Sequence, residues 1–221
     1  MAGRRDKLAT AHEHWDEAWR DAAGREDWLE PEPAVLDVLP SLHERGVHRV
    51  LDLGCGVGRH ARAFATAGFE THAIDAAIAG VTHAASDYAG DSVGYAVSSF
   101  VALPYSRATF DYVLAWNVVY HGDGEIAGHA IEEIARVLRP GGTYQSTMLS
   151  KRHTSFGRGT EVRPDTWVDS ESSSDKAHPH LFTTSADARA LHDPWFEVEQ
   201  MDDREQREPG SWHLELVMRR R

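Results

Sequence analysis

Val50-Leu51-Asp52-Leu53-Gly54-Cys55-Gly56-Val57-Gly58-Arg59-His60 runs from an apolar strand through three glycines at alternate positions into the start of a helix. Glycine has no Cβ and adopts positive φ readily, so such a turn lets a guest approach the backbone closely. The N–H groups of the turn and of the first helical turn point at that guest and favour a negative group. Outward from this stretch, strand-like and helix-like segments alternate, the pattern of an α/β doubly wound fold. The binding edge of such a sheet lies at the C-terminal ends of its parallel strands.

Upstream, Leu8, Ala11, His12, Trp15, Ala18, Trp19 and Ala22 recur at spacings of three and four, which predicts a helix from Asp6 to Ala23 with Gly24 as its stop. A second helix is predicted from Ala34 to Arg45, with Pro40 inside it as a kink. Strands are predicted over Arg49 to Leu53, Glu70 to Ile74, Val93 to Val97, Phe110 to Trp116 and Thr143 to Leu149. Helices fill the gaps over Arg59 to Ala67, Ala76 to Tyr88 (followed by Gly90) and Glu125 to Leu138. Lys151 to Phe182 is polar and shows no strand or helix pattern. An irregular stretch of that length is usually functional or disordered. A helix from Thr184 to Leu191, capped by Thr184 or Ser185, precedes strands over Phe196 to Met201 and Trp212 to Met218. The sum is a Rossmann-like, doubly wound, mostly parallel seven-stranded sheet with a C-terminal antiparallel hairpin.

The 221 residues suit one domain, and 41% hydrophobic with 26% charged residues is the mix of a soluble globular protein. A net charge of -12 repels phosphate backbones, so a nucleic-acid partner is not expected, and Arg219-Arg220-Arg221 reads as a solvated tail. Cys55 is the single cysteine, which rules out an intrachain disulfide and a Cys-based zinc site. No apolar segment follows Met1 to Lys7, and no run of about 18 apolar residues occurs, so neither a signal peptide nor a membrane partner is expected. The expected compartment is the cytoplasm. The terminal strand pair leaves an edge that a second copy can cover, which makes a homodimer one reading of the oligomeric state.

The glycine spacing separates two guests. A dinucleotide site needs G-x-G-x-x-G, whereas here Gly54 and Gly56 are followed by Gly58, with Arg59 where the third glycine belongs. The Asp52 carboxylate would repel a pyrophosphate and suits a cationic group such as an ammonium. Asp75, closing the second strand, is placed to hydrogen-bond a ribose diol. A guest with an amino-acid end and a ribose satisfies both.

Four segments in order then resemble the class I S-adenosylmethionine-dependent methyltransferases. Leu51 to Gly58 resembles the first motif of that family. Ala73-Ile74-Asp75-Ala76-Ala77 resembles the second, whose acidic residue holds the ribose hydroxyls. Leu103-Pro104-Tyr105 with Phe110-Asp111, and Arg136-Val137-Leu138-Arg139-Pro140-Gly141-Gly142, resemble the two later segments. The resemblance runs from about Val50 to Met148. Beyond it the chain is loosely similar to small-molecule methyltransferases, including those linked to tellurite resistance.

The resemblance implies S-adenosylmethionine as cofactor, methyl transfer to a small-molecule acceptor, and S-adenosylhomocysteine as product. It implies a cofactor site of Asp52, Gly54, Cys55, Gly56, Gly58, Asp75, Ala76, Ser99, Phe100 and Asn117, with Cys55 a spacer rather than a nucleophile. Ser99 replaces the family's acidic adenine-binding residue and accepts a hydrogen bond as a neutral group, beside the N–H of Phe100.

The chain then divides into N-terminal helices forming a lid (1–46), a cofactor-binding core (47–149), a substrate-side insertion (150–183) and a C-terminal helix with two strands (184–221). The acceptor is expected over the ends of the fourth and fifth strands, within reach of Asn117 to His121, the insertion, and Trp15, Trp19 and Trp28. Trp28, His121, His178 and His180 are the substrate candidates, and His121 the catalytic one. No metal is expected, because His178-Pro179-His180 shows no third ligand. The alternatives are a non-catalytic module that binds S-adenosylmethionine and a nicotinamide-dependent oxidoreductase.

Overall fold

β1 (Arg49–Leu53) lies at the middle of a parallel sheet with β2 (Glu70–Asp75), β3 (Val93–Val97), β4 (Phe110–Ala115) and β5 (Leu138–Ser150), in the order β3-β2-β1-β4-β5. The structure, a computed structural model, describes residues 10–88, 92–172, 174–207 and 209–221. Alternate side chains leave β1 and β4 for opposite faces, and both faces are buried. Leu51, Leu53, Val113 and Ala115 join one core with the apolar side of α7 (Gly124–Val137), through Ile131, Ile134 and Val137. Val50, Tyr112 and Leu114 join the other with Val35, Leu42 and Phe64, from α3 (Pro33–Leu36), α4 (Leu39–Glu44) and α5 (Arg59–Thr66).

Three short strands, β6 (Thr160–Arg163), β7 (Thr166–Val168) and β8 (His180–Thr183), precede α8 (Ser185–His192), β9 (Phe196–Glu205) and β10 (Trp212–Arg220). β10 runs antiparallel along β5 and pairs with β9 on its far side, while the end of β5 also pairs with β8 and through it with β7 and β6, so the expected seven strands are part of a ten-stranded sheet. Thr184 caps α8, exchanging hydrogen bonds with Asp187. β9 is an edge that carries Glu197, Glu199, Asp202, Asp203 and Glu205, a density of like charge that resists pairing with a copy of itself.

Two sequence motifs turn out to be braces. Asp111, at the start of β4, accepts from His48 N and Arg49 N at 3.0 and 2.9 Å and holds the Arg139 guanidinium. Arg136 donates to Tyr105 O and Leu103 O at 2.7 and 3.0 Å, while Glu133 accepts from Leu103 N at 2.8 Å. These contacts fix the loop before β4 against α7.

Several expectations are corrected. The first predicted helix is two, α1 (Ala11–Ala18) and α2 (Ala22–Arg25), because the Asp21 side chain accepts from Gly24 N and starts a new turn. Gly24 therefore lies inside α2 rather than stopping a helix. The predicted start at Asp6 with Leu8 lies outside the described residues, as does Gly90. The helix over Ala34 to Arg45 also divides into α3 and α4, with Pro40 in the first turn of α4, where its missing N–H costs nothing. The insertion is not irregular: it holds β6 to β8. Arg219 to Arg221 is no solvated tail. Arg219 pairs with Glu199 at 2.7 Å, and Arg221 donates to Phe196 O at 3.0 Å.

Candidate active site

A cavity of about 700 Å³ opens at the C-terminal ends of β1, β2 and β4. At one end, Leu53, Gly54, Cys55 and Gly56 form its wall, with Asp75 and Ala76 from the end of β2 and Ser98 and Phe100 after β3. The Asp75 carboxylate accepts from Gly56 N at 2.9 Å through one oxygen and from Ala77 N at 2.8 Å through the other. Each oxygen keeps a lone pair for a hydroxyl in the cavity. Burial raises the pKa of Asp75, against those N–H donors.

Over this end lie three tryptophans. Trp15 stacks on Trp19 with centroids 5.0 Å apart, and Trp28 meets Trp15 edge-on at 5.0 Å. Asp16, between them in sequence, accepts from Ala79 N at 2.7 Å. Ala79 lies in the first turn of α6 (Ile78–Asp87), which has no side-chain cap of its own. Asp16 thus anchors α1 by capping another helix.

The other end is rich in histidine. His14, Tyr120, His121, His153, Asp175, Lys176 and His213 line it. β4 stops pairing with β5 at Ser146, and β8 takes up the vacated edge at Leu149 and Ser150. This places β8 beside the segment that follows β4: Leu181 N donates to Tyr120 O at 2.9 Å, and Gly122 N to Pro179 O at 3.0 Å. His178 and His180 are thereby set against His121, with His121 Nδ1 3.0 Å from His178 Nε2. Burial pushes the His178 pKa down to about 3, that of His180 to about 4, and that of His121 well below its usual value. Burial alone would raise Asp175, but the contact with His180 and the Lys176 charge outweigh it and hold the carboxyl below the usual range.

Of the predicted cofactor residues, Gly54, Cys55, Gly56, Asp75, Ala76, Phe100 and Asn117 line the cavity. Asn117 sits at φ 60° with its N–H on Thr147 Oγ1 at 2.7 Å and its Oδ1 accepting from the same hydroxyl. Cys55 is buried, and burial raises the pKa of its thiol well above the usual value, which disfavours the thiolate.

Three assignments are corrected. Asp52 is 1% exposed, lies beneath the turn, and accepts from Ala61 N at 2.9 Å, so it ties α5 to β1 instead of facing a guest. Gly58 is the left-handed N-cap of α5, where a Cβ would lie 2.8 Å from Ala84 Cβ. Ser99 does not line the cavity and accepts from Val101 N at 3.4 Å, and Ser98 lines the wall in its place.

Trp28 and His121 line the cavity, whereas His178 and His180 stand behind His121. The expectation that His178-Pro179-His180 has no third ligand also fails, because one nitrogen from each of His121, His178 and His180 lies within 4.8 Å of the others. Sequence reading covered Tyr120, Asp175 and Lys176 only as parts of acceptor-side ranges, and missed His213 and Arg207.

Burial pushes the Asp52 carboxyl up to about 7, against the Ala61 N–H and the Arg59 charge. In the unfolded chain an aspartate releases its proton near pH 4. Between these values the folded chain binds the extra proton, so this group's contribution to stability falls as pH rises from about 4 to 7, by roughly 4 kcal/mol at most. Asp52→Asn removes that dependence and keeps an acceptor for Ala61 N. Urea unfolding of both proteins at pH 5 and pH 8 should show the wild type losing ground to the variant at the higher pH. A gain instead would refute the buried, protonated assignment.

Residues 50–142 match the family model described as a methyltransferase domain. Over 114 residues the chain is 36% identical to malonyl-[acyl-carrier protein] O-methyltransferase of Pseudescherichia vulneris, covering 51% of this chain and 43% of that protein. It is 34% identical over 110 residues to ubiquinone biosynthesis O-methyltransferase of Methylocella silvestris, covering 49% and 42%. The chain thus spans less than half the length of these curated relatives. Its fold is similar to that of 1,6-didemethyltoxoflavin-N1-methyltransferase from Burkholderia thailandensis, solved with 1,6-didemethyltoxoflavin and S-adenosylhomocysteine. The TM-score is 0.70 at 21% identity, over 96% of this chain and 88% of that one.

Proposed function

We propose that this chain, a class I S-adenosylmethionine-dependent methyltransferase by its fold and its residues 50–142, transfers a methyl group to a small-molecule acceptor held at the histidine-lined end of the cavity. The observation that carries the reading is continuity. The glycine turn with Asp75 and the chamber around His121 are two ends of one cavity.

The residues present fit the cofactor. Gly54 and Gly56 give a wall without side chains at φ 70° and 52°, and Asp75 keeps lone pairs for ribose hydroxyls. Bound there, S-adenosylmethionine supplies a methyl group on a sulfonium and leaves as S-adenosylhomocysteine.

The chain's own work is alignment and the exclusion of water. Trp15, Trp19 and Trp28 roof the cofactor end, and α1 is a lid held there by the Asp16–Ala79 contact and by the packing of Trp19 on Val57 and Ala77. Asn117, fixed by Thr147, forms the floor between the two ends. At the acceptor end Lys176 and Tyr120 offer donors, which suits an acceptor whose attacking oxygen or sulfur is anionic. Such an acceptor needs no general base. The O-methyltransferase relatives favour oxygen.

Purified protein incubated with S-adenosylmethionine and a panel of phenols, carboxylates, thiols and chalcogen oxyanions should form S-adenosylhomocysteine in an acceptor-dependent way, read by mass spectrometry. Cofactor binding in calorimetry with no turnover across the panel would favour the non-catalytic reading.

A further inference from the structure

We infer that His121, His178 and His180 form a binding site for a divalent transition-metal ion of the zinc type. The first argument is proximity. One nitrogen from each ring lies within 4.8 Å of the others, and all three residues are buried. On a tetrahedral zinc with Zn–N of ~2.0–2.1 Å, ligand nitrogens stand about 3.3 Å apart. His121 Nδ1 and His178 Nε2 are already at 3.0 Å.

The second argument is where the protons must be. His121 Nε2 lies 3.0 Å from Asn117 O, and His180 Nδ1 lies 2.8 Å from His178 O. A carbonyl oxygen only accepts, so each of those nitrogens carries the hydrogen. The nitrogens left to turn to an ion are His121 Nδ1 and, once the proton it shares with Asp175 is displaced, His180 Nε2. Metal-bound histidines are commonly oriented in this way, with the far N–H on a backbone carbonyl.

The third argument is charge. His180 Nε2 lies 3.1 Å from Asp175 Oδ2, a hydrogen bond in which the imidazole donates to the carboxylate. Lys176 Nζ is 2.9 Å from both Asp175 oxygens, but it supplies nothing to the imidazole. A dication among the three rings would take the place of the proton between His180 and Asp175 and would have Asp175 beside it as compensating charge. The imidazole set suits zinc, copper, nickel or iron rather than magnesium or calcium.

The ion would meet the cavity on the His121 side, as a Lewis acid toward an anionic acceptor atom. That use rests on the methyl-transfer reading, whereas the binding does not, so it is tested without cofactor or acceptor. Metal-stripped full chain is titrated with Zn²⁺ by calorimetry, and with Co²⁺ by visible absorption. We expect one ion per chain and the intense visible bands of tetrahedral Co²⁺. His178→Ala and His180→Ala should each weaken Zn²⁺ binding at least a hundredfold. His153→Ala, which removes a neighbouring imidazole from outside the triad, should leave it within threefold. The inference is overturned by no stoichiometric binding, by the pale spectrum of octahedral Co²⁺, or by unchanged affinity in both triad variants. Should a triad variant lose its native near-ultraviolet circular dichroism, the wild-type Co²⁺ spectrum decides alone.

Discussion

Asp75→Ala lowers the affinity for S-adenosylmethionine and S-adenosylhomocysteine by about a hundredfold or more while the chain still folds. The resemblance assigns this residue to the ribose hydroxyls, and the structure puts both its oxygens at the cavity wall between two backbone donors. Hydrogen bonds to a charged group are worth ~1.5–3 kcal/mol each, so losing two costs about 3–6 kcal/mol of binding. The lower bound already exceeds a factor of a hundred. Part of the loss is indirect, because Gly56 N and Ala77 N lose the acceptor that holds the turn. Gly56 lines the cavity, where water can replace the lost acceptor, whereas Ala77 is fully buried, so part of the cost falls on folding. Asp75→Asn is no gentle control: its amide nitrogen would have to face one of the two donors, and it should behave nearly as badly as the alanine. Calorimetry with both ligands reads the effect. Affinity within threefold of wild type would remove Asp75 from the cofactor site.

The parts of this site that were legible in the sequence are those built from neighbours in the chain. The turn after β1 and the acidic end of β2 are local, and their spacing alone places them at one edge of the sheet. The failures have different causes. Asp52 carries the right chemistry for an ammonium, but strand alternation and the tie to Ala61 N turn it under the sheet edge. Ser99 is one residue out of place: past β3 the chain is extended, and a shift of one residue exchanges Ser98 for Ser99 at the wall. The insertion was illegible because its strands have three or four residues and are held by partners far along the chain. β8 owes its place to the end of β5, and the meeting of His121 with His178 and His180 follows from that pairing alone. Pro40 was legible in principle, since a proline at that spacing begins a helix as readily as it kinks one.

Gly54→Ala should disable the site through two separable effects. Gly54 sits at φ 70°, where an L-residue costs ~1–2 kcal/mol. A Cβ there would also lie 2.3 and 2.8 Å from the two methyl carbons of Val118, an overlap worth ~1–3 kcal/mol. The total loss of stability is therefore about 2–5 kcal/mol. The push has a direction. Val118 follows Asn117, whose own φ is 60° and whose carbonyl accepts from His121 Nε2. Moving Val118 thus disturbs the cavity floor and the histidine end together, so acceptor-dependent turnover should fall further than the stability does. Val118→Ala separates the causes. Alone it removes two methyl groups and costs roughly 1.5 kcal/mol. In its background Gly54→Ala meets only the Cβ of residue 118 at 3.1 Å and retains mainly the backbone penalty. A double-mutant cycle by urea unfolding should therefore show strong positive coupling between positions 54 and 118. Additive effects would mean that Val118 yields freely and the damage is conformational. An undiminished Gly54→Ala protein would mean that the turn does not need glycine at its first position, and the reading of the whole strand–turn–helix unit would fail with it.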